Sequence, residues 1–186
     1  HNAGKKREIT AILQPLGYEV VMFDNLTQTF NEPQETGSTY EENALIKAKA
    51  AGDVSGLVTL ADDSGLEVAA LPGELGVYSA RYEKTEKERN EKLLNAMEGK
   101  TNRSAKFVSC IVLYDPIAKT HQTFFGEVEG DLATEAKGGN GFGYDPLFIP
   151  RGFTQTFGEM ESAQKNELSH RINALGKLQD FLKISS

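Results

Sequence analysis

At 186 residues the chain is long enough to bury a good core as a single domain spanning residues 1–186. Its formal net charge of −7 and pI near 5.1 exclude the basic stripe that stable nucleic-acid binding needs, although a few local cations and backbone amides can hold a phosphate against that field. No apolar run approaches the roughly 20 residues of a membrane span, no signal peptide opens the chain, and the lone Cys110 allows no internal disulfide, so a cytoplasmic protein without a membrane partner is expected.

In chain order, Asn2 stands as N-cap of a helix from Ala3 to about Leu13, with Ile9, Ile12, Leu13 and Leu16 on its apolar side. "YEVVMF" (18–23) reads as a strand. Thr39 and Glu42 form a capping box that starts a second helix, expected to run to about Gly52. "GLVTLADD" is a strand running into an acidic pair, Asp62 and Asp63. Thr85 and Glu88 open a third helix with Gly99 as its stop. "SAKFVSCIVLYDP" and "HQTFFGEVEG" are two longer strands joined around Pro116–Lys119, and Cys110 within the first reads as a buried structural thiol. "GFGYDPLFIP" is a glycine-punctuated loop leading into a short strand, and Ile172, Leu175, Leu178 and Leu182 mark a C-terminal helix capped by Ser169. Helices interleaved with strands make this an α/β domain with a mixed, twisted sheet flanked by helices.

The acidic pair carries the first chemical signal. On its own, "DDSG" is most simply a turn in which Asp62, Asp63 and Ser64 bond local amides beside Gly65. Adjacent aspartates at a strand end are also hard oxygen ligands of the kind Mg²⁺ takes, with waters and phosphates completing its octahedron. Four other stretches favour phosphate chemistry. "HNAGKKRE" puts Lys5 one turn into a helix whose N-terminus suits an anion. "QETGSTYEENA" offers Glu35 as a further metal carboxylate, while Glu42 is better explained by the capping box. "KGGNGFGYDP" has four glycines in seven residues, with Phe142 and Tyr144 suited to a flat ligand and Asp145 adding a carboxylate. "KNELSHR" clusters Lys165, His170 and Arg171.

These stretches, in this order, resemble the non-standard purine NTP pyrophosphatases, the inosine/xanthosine triphosphate pyrophosphatase family. The matching blocks are Asn-x-x-Lys (Asn2, Lys5), Glu-Thr-Gly with Glu-Asn-Ala (35–37, 42–44), Asp-Asp-Ser-Gly-Leu (62–66), Ser-Ala-Arg-Tyr (79–82), Gly-Phe-Gly-Tyr-Asp (141–145) and Ser-His-Arg (169–171). Two departures stand out. Family members carry an apolar strand ending in Thr or Ser ahead of the first block, whereas this sequence starts at His1, from a trimmed sequence or a sheet lacking that strand. Gln34 stands where many relatives have a further Glu, which makes Glu35 the metal ligand of that segment.

The resemblance implies two lobes around a central nucleotide cleft, a homodimer, and the reaction NTP + H₂O → NMP + PPi on ITP, dITP and XTP. It implies Mg²⁺ held by Glu35 and Asp63 with Asp62 nearby, and Asp63 as general base. Asn2, Lys5 and the first helix's N-terminus would hold the phosphate tail, assisted by Lys165. Ser64, Phe142, Gly143, Tyr144 and Asp145 would surround the nucleotide, with Phe142 stacked on the purine. His170 and Arg171 would read the 6-keto group, since Arg171 can only donate and a 6-amino group would face donors. Two alternatives remain open on sequence: a related pyrophosphatase for other modified nucleotides, and a nucleotide sensor that turns nothing over.

Overall fold

The computed structural model describes residues 3–22 and 33–185. Among the described residues are five α-helices and four strands: α1 (Ala3–Leu13), α2 (Tyr40–Ser55), β1 (Thr59–Val68), α3 (Glu86–Ala96), β2 (Ser104–Asp115), β3 (Thr120–Leu132), β4 (Phe148–Pro150), α4 (Ser162–Leu168) and α5 (His170–Ser185). The strands form one sheet in the order β1-β2-β3-β4. β2 and β3 are neighbours joined by a four-residue turn, which only an antiparallel hairpin permits. β4 is antiparallel to β3, with Leu132 opposite Phe148. The expected α/β architecture is therefore present, and among the described pairings the sheet is antiparallel.

Local chemistry accounts for most boundaries. At α2 the Thr39 hydroxyl accepts the Glu42 N–H at 3.1 Å, and the Glu42 carboxylate accepts the Ser38 N–H at 2.6 Å and the Thr39 N–H at 3.2 Å. Hydrogen bonds from the Ser38 hydroxyl and amide hold the Glu42 carboxyl below its ordinary pKa. The second box, Thr85 with Glu88, caps α3 in the same way. Two expectations need correction. α2 does not stop at Gly52 but runs to Ser55, ending at Gly56 with φ 70°. Gly52 instead allows a close approach, because a Cβ there would lie 2.9 Å from the Tyr114 ring. Residues 18–22 are not a strand: they have no sheet partner among the described residues, and Tyr18 and Val21 are exposed while Val20 packs inward (Phe23 lies outside the described residues).

The chain divides into two compact units: His1–Asp63 with Ser109–Gly126 and Arg171–Ser186, and Ser64–Val108 with Glu127–His170. Each has its own core. In the first, Leu13, Ile111, Phe124, Leu175, Leu178 and Leu182 cluster, with Ile9 and Ile12 of α1 and Ile172 of α5 against them, as helical spacing predicts. In the second, Leu66, Leu93, Met97 and Leu147 surround Phe107, Phe148 and Phe157, whose rings meet at 4.7 Å (Phe107–Phe148) and 5.2 Å (Phe148–Phe157) between centroids. Cys110 is fully buried and its thiol is pushed up to about 12 by that burial, so it is an inert core residue. No helix among the described residues is long and apolar enough to cross a membrane.

β1 is fastened within the second unit by a glycine contact. A Cβ on Gly65 would lie 2.1 Å from the Gly76 carbonyl oxygen and 2.8 Å from the Ser79 hydroxyl. Ser79 sits in the short 3₁₀ helix Gly76–Arg81, its hydroxyl 2.9 Å from the Leu66 N–H that it accepts and 2.6 Å from the Gly76 carbonyl. Gly65→Ala should therefore lower stability by about 1–3 kcal/mol through overpacking against backbone. Gly176→Ala in α5, where a Cβ meets nothing within 4 Å, should raise it by about 0.5–1 kcal/mol. Urea midpoints of the two variants, moving in opposite directions, check this pair.

Candidate active site

The strand carrying the acidic pair runs straight through it. β1 extends from Thr59 to Val68, so Asp62, Asp63 and Ser64 lie inside a strand and neither at its carboxyl end nor in a turn. Period-two geometry then points the two aspartates to opposite faces, and each meets a different cation. Asp62 accepts from Arg171 Nε at 3.0 Å, and Asp63 accepts from Lys47 Nζ at 3.0 Å.

Lys47 and Asn43 reach Asp63 from α2, one turn apart on its buried face. The Asn43 amide donates to the second Asp63 oxygen at 3.4 Å and accepts the Gly37 N–H at 2.8 Å, which ties the Glu35-bearing segment to the helix. A side chain on Gly37 would collide with Asn43 and Glu42. Lys47 Nζ also donates to Glu35 Oε1 at 2.7 Å, so one ammonium bridges the two carboxylates. Burial lifts the Asp63 carboxyl above its ordinary pKa; the Lys47 charge opposes this and the Glu35 charge adds to it. Burial pulls the Lys47 ammonium down, but the charges and hydrogen bonds of Asp63 and Glu35 outweigh it and its pKa is raised.

These two carboxylates fit a divalent cation. A positive group already lies within 3.0 Å of an oxygen of each, and the donor set is hard oxygen, as Mg²⁺ prefers. Among the described residues no cluster of three or more His, Cys, Asp or Glu could hold a metal. A pair of carboxylates suits an ion that keeps waters and takes phosphate oxygens for the rest of its octahedron.

The other face of β1 belongs to Arg171. Its Nη1 donates to Glu8 of α1 at 3.2 Å, complementing the Nε bond to Asp62, and the residue is 3% exposed. Burial alone would lower the guanidinium pKa; Asp62 and Glu8 outweigh it, and the group stays charged. Asp62 is thus placed on Arg171, away from the Glu35–Asp63 pair.

Within the second unit, the glycine-rich loop is closed on itself. Asp145 is buried and accepts the Phe142 N–H at 2.7 Å and the Lys165 ammonium at 2.5 Å. At Gly141, with φ 77°, a Cβ would lie 2.0 Å from that carboxylate. The Gly143 carbonyl accepts from the Asn90 amide at 3.0 Å. Phe142 is 40% exposed, with the Lys165 ammonium 4.8 Å from its ring centroid. Tyr144 differs from expectation: it is 5% exposed and donates its hydroxyl to the Ser79 carbonyl at 2.7 Å, so its ring is a core element, whereas that of Phe142 is exposed. Lys165, expected on a phosphate tail, is placed against this loop. His170 stacks on Phe107 at 4.9 Å between centroids, Ser169 stands in extended conformation between α4 and α5, and Ser64 is half-buried in β1. Lys5 falls in the first turn of α1, and Asn2 lies outside the described residues.

Lys47, Asn43, Glu8 and Ser79 were not expected at the site or its supports. The first two left a trace in the sequence. Tyr40, Asn43, Ala44, Lys47 and Ala48 recur at helical spacing on one face of α2, and Asn43 and Lys47 are the polar members of an otherwise apolar stripe. Glu8 left none, because its partner is 163 residues away.

The profile of the Ham1 family matches residues 1–181. The chain belongs to that family. Among similar proteins, the dITP/XTP pyrophosphatase of Deinococcus deserti is 49% identical over 96% of this chain and 84% of its own length. That of Bacillus subtilis is 42% identical over 98% of this chain and 94% of its own. Among solved structures, the Staphylococcus aureus Ham1 protein superposes with a TM-score of 0.91 at 41% identity, covering 100% of this chain and 96% of that one. The nucleoside-triphosphatase / dITP/XTP pyrophosphatase of Mycobacterium abscessus gives 0.78 at 35% identity, over 96% and 94%.

The raised pKa of Asp63 has a definite sign in this Ham1 chain. A carboxyl whose native pKa exceeds its unfolded value contributes stability below the unfolded pKa, and that contribution is lost as pH rises through the native one. Ionised Asp63 therefore costs stability near neutrality. Asp63→Asn should unfold at higher urea than the parent near neutral pH, with the difference closing toward about pH 4. A less stable variant at neutral pH would show that the Lys47 pairing outweighs burial.

Proposed function

We propose that Asp63 of β1, Glu35 on the segment before α2 and the aromatic loop at Phe142 serve hydrolysis of non-standard purine nucleoside triphosphates (ITP, dITP, XTP) to the monophosphate and pyrophosphate. The chain is a nucleoside-triphosphate pyrophosphatase, a hydrolase of nucleotide metabolism that removes these species from the pool. The observation that supports the metal-dependent form of this reading is the convergence of Glu35 and Asp63 on one cation. A triphosphate carries about four negative charges near neutral pH, so its transition state needs positive charge more than a protein nucleophile.

In this reading Glu35 and Asp63 hold Mg²⁺, which when bound supplies neutralisation of the phosphate charge and polarisation of water. Asp63 takes the proton of the water attacking the α-phosphorus. The N-terminus of α1, with Asn2 and Lys5, holds the phosphate tail. Phe142 stacks on the purine, stiffened by Asp145 and Lys165 beneath it. His170 and Arg171 select the 6-keto group, with Asp62 and Glu8 fixing the guanidinium. The single domain of residues 1–186 works in the cytoplasm and, as the family resemblance implies, as a homodimer.

A panel of triphosphates tests the reaction. ITP and XTP should yield monophosphate and pyrophosphate, turnover should stop on chelation and return with Mg²⁺, and Asp63→Asn should remove most of it. Diphosphate with orthophosphate as products would mean that the register of the phosphate tail is wrong.

Base selection has its own check. Leaving a buried polar group unpaired costs roughly 1–3 kcal/mol, a factor of about 10 to 150. Arg171→Ala should cut ITP turnover by such a factor more than ATP turnover. Equal losses on both would make Arg171 a support for Asp62 and not a reader of the base.

A further inference from the structure

We propose that Lys47 is a resident counter-cation that closes the Glu35–Asp63 pair to metal until a nucleotide arrives. The proposal rests on reading that pair as the metal ligands. Lys47 Nζ lies 2.7 Å from Glu35 Oε1 and 3.0 Å from Asp63 Oδ1, with its side chain only 18% exposed. One ammonium therefore lies where a cation shared by both carboxylates would sit, and it satisfies the requirement that buried negative charges be paired. An ion entering this pair must displace the ammonium and leave it without its partners.

Free metal offers the ammonium nothing in return. A metal–triphosphate complex does, because it brings phosphate oxygens to which a displaced ammonium, on a flexible four-carbon stem, can turn. The exchange then conserves charge pairing: the ion takes the two carboxylates, and Lys47 takes a phosphate. The bare protein accordingly binds divalent metal poorly and takes it up as the nucleotide complex. Asn43 keeps its hold on Asp63 through the exchange, since it bonds the carboxylate oxygen that Lys47 does not.

The test is direct binding of Mn²⁺ to nucleotide-free protein, read by titration calorimetry, with melting temperature as a second readout. The parent should bind Mn²⁺ no tighter than millimolar and its melting should barely respond to the ion. Lys47→Met keeps the length and removes the charge. It should bind one Mn²⁺ at least about tenfold more tightly, melt lower than the parent in chelator, and recover when Mn²⁺ or Mg²⁺ replaces the lost cation. Micromolar binding by the bare parent overturns the proposal on its own, without any variant. So does a Lys47→Met protein that binds no tighter than the parent and gains nothing in melting from metal, for Lys47 would then be a structural tie alone. Failure of the underlying reading looks different: Glu35→Gln and Asp63→Asn would both turn over ITP normally with Mg²⁺.

Discussion

Two adjacent carboxylates in an extended strand cannot share one environment, because the pleat sends successive side chains to opposite faces of the sheet. In β1 this constraint is applied to Asp62 and Asp63, both largely buried, and it sets much of what surrounds them. Side by side on one face, two buried negative charges would repel each other strongly in a low dielectric. Split across the pleat, each obtains its own cation: Arg171 on one side, Lys47 on the other. α5 begins with the residues that supply the first, and α2 presents the second one turn beyond Asn43. The pairs differ in kind. Arg171 is a planar, permanently charged fork suited to a fixed clamp between Asp62 and Glu8, whereas Lys47 is a compact charge on a flexible stem that can move aside.

Rigidity is supplied elsewhere by close backbone contacts. Gly65 lets β1 touch the Gly76 carbonyl, and Ser79 bonds that same stretch of strand. Ser79 also lends its carbonyl to Tyr144, which belongs to the loop that presents Phe142. One serine thus connects the strand that continues from the aspartates with the loop that offers an aromatic face. Within the loop, Gly141 makes room for the Asp145 carboxylate, which in turn holds the Phe142 amide and Lys165. The result is an exposed ring whose backbone amide is held by a buried carboxylate.

Both capping boxes, the β2–β3 hairpin, the apolar faces of α1 and α5, and the inert burial of Cys110 were legible in the sequence, because each depends on residues within a few positions of one another or on a simple period. The ordered blocks likewise indicated the family. Gly52 and residues 18–22 were misread for a common reason. A glycine that ends a helix and one that admits a neighbouring ring look alike locally, and an alternating apolar run is a strand only if a partner strand lies beside it.

What the sequence determined by itself was therefore the family, through ordered blocks of charged, glycine and aromatic residues, and most of the elements that carry those blocks. Which carboxylate meets which cation was decided only by the tertiary structure. The split between Asp62 and Asp63 follows from β1 continuing past them to Val68, and that continuation depends on Gly65 and Ser79 packing within the fold. Lys47 reaches Glu35 and Asp63 across 12 and 16 residues, and Arg171 reaches Asp62 and Glu8 across 109 and 163. The helical spacing on α2 marks Lys47 but not the carboxylates it meets, because pairings at such separations are made by the packing of elements and not by the conformation of any one of them.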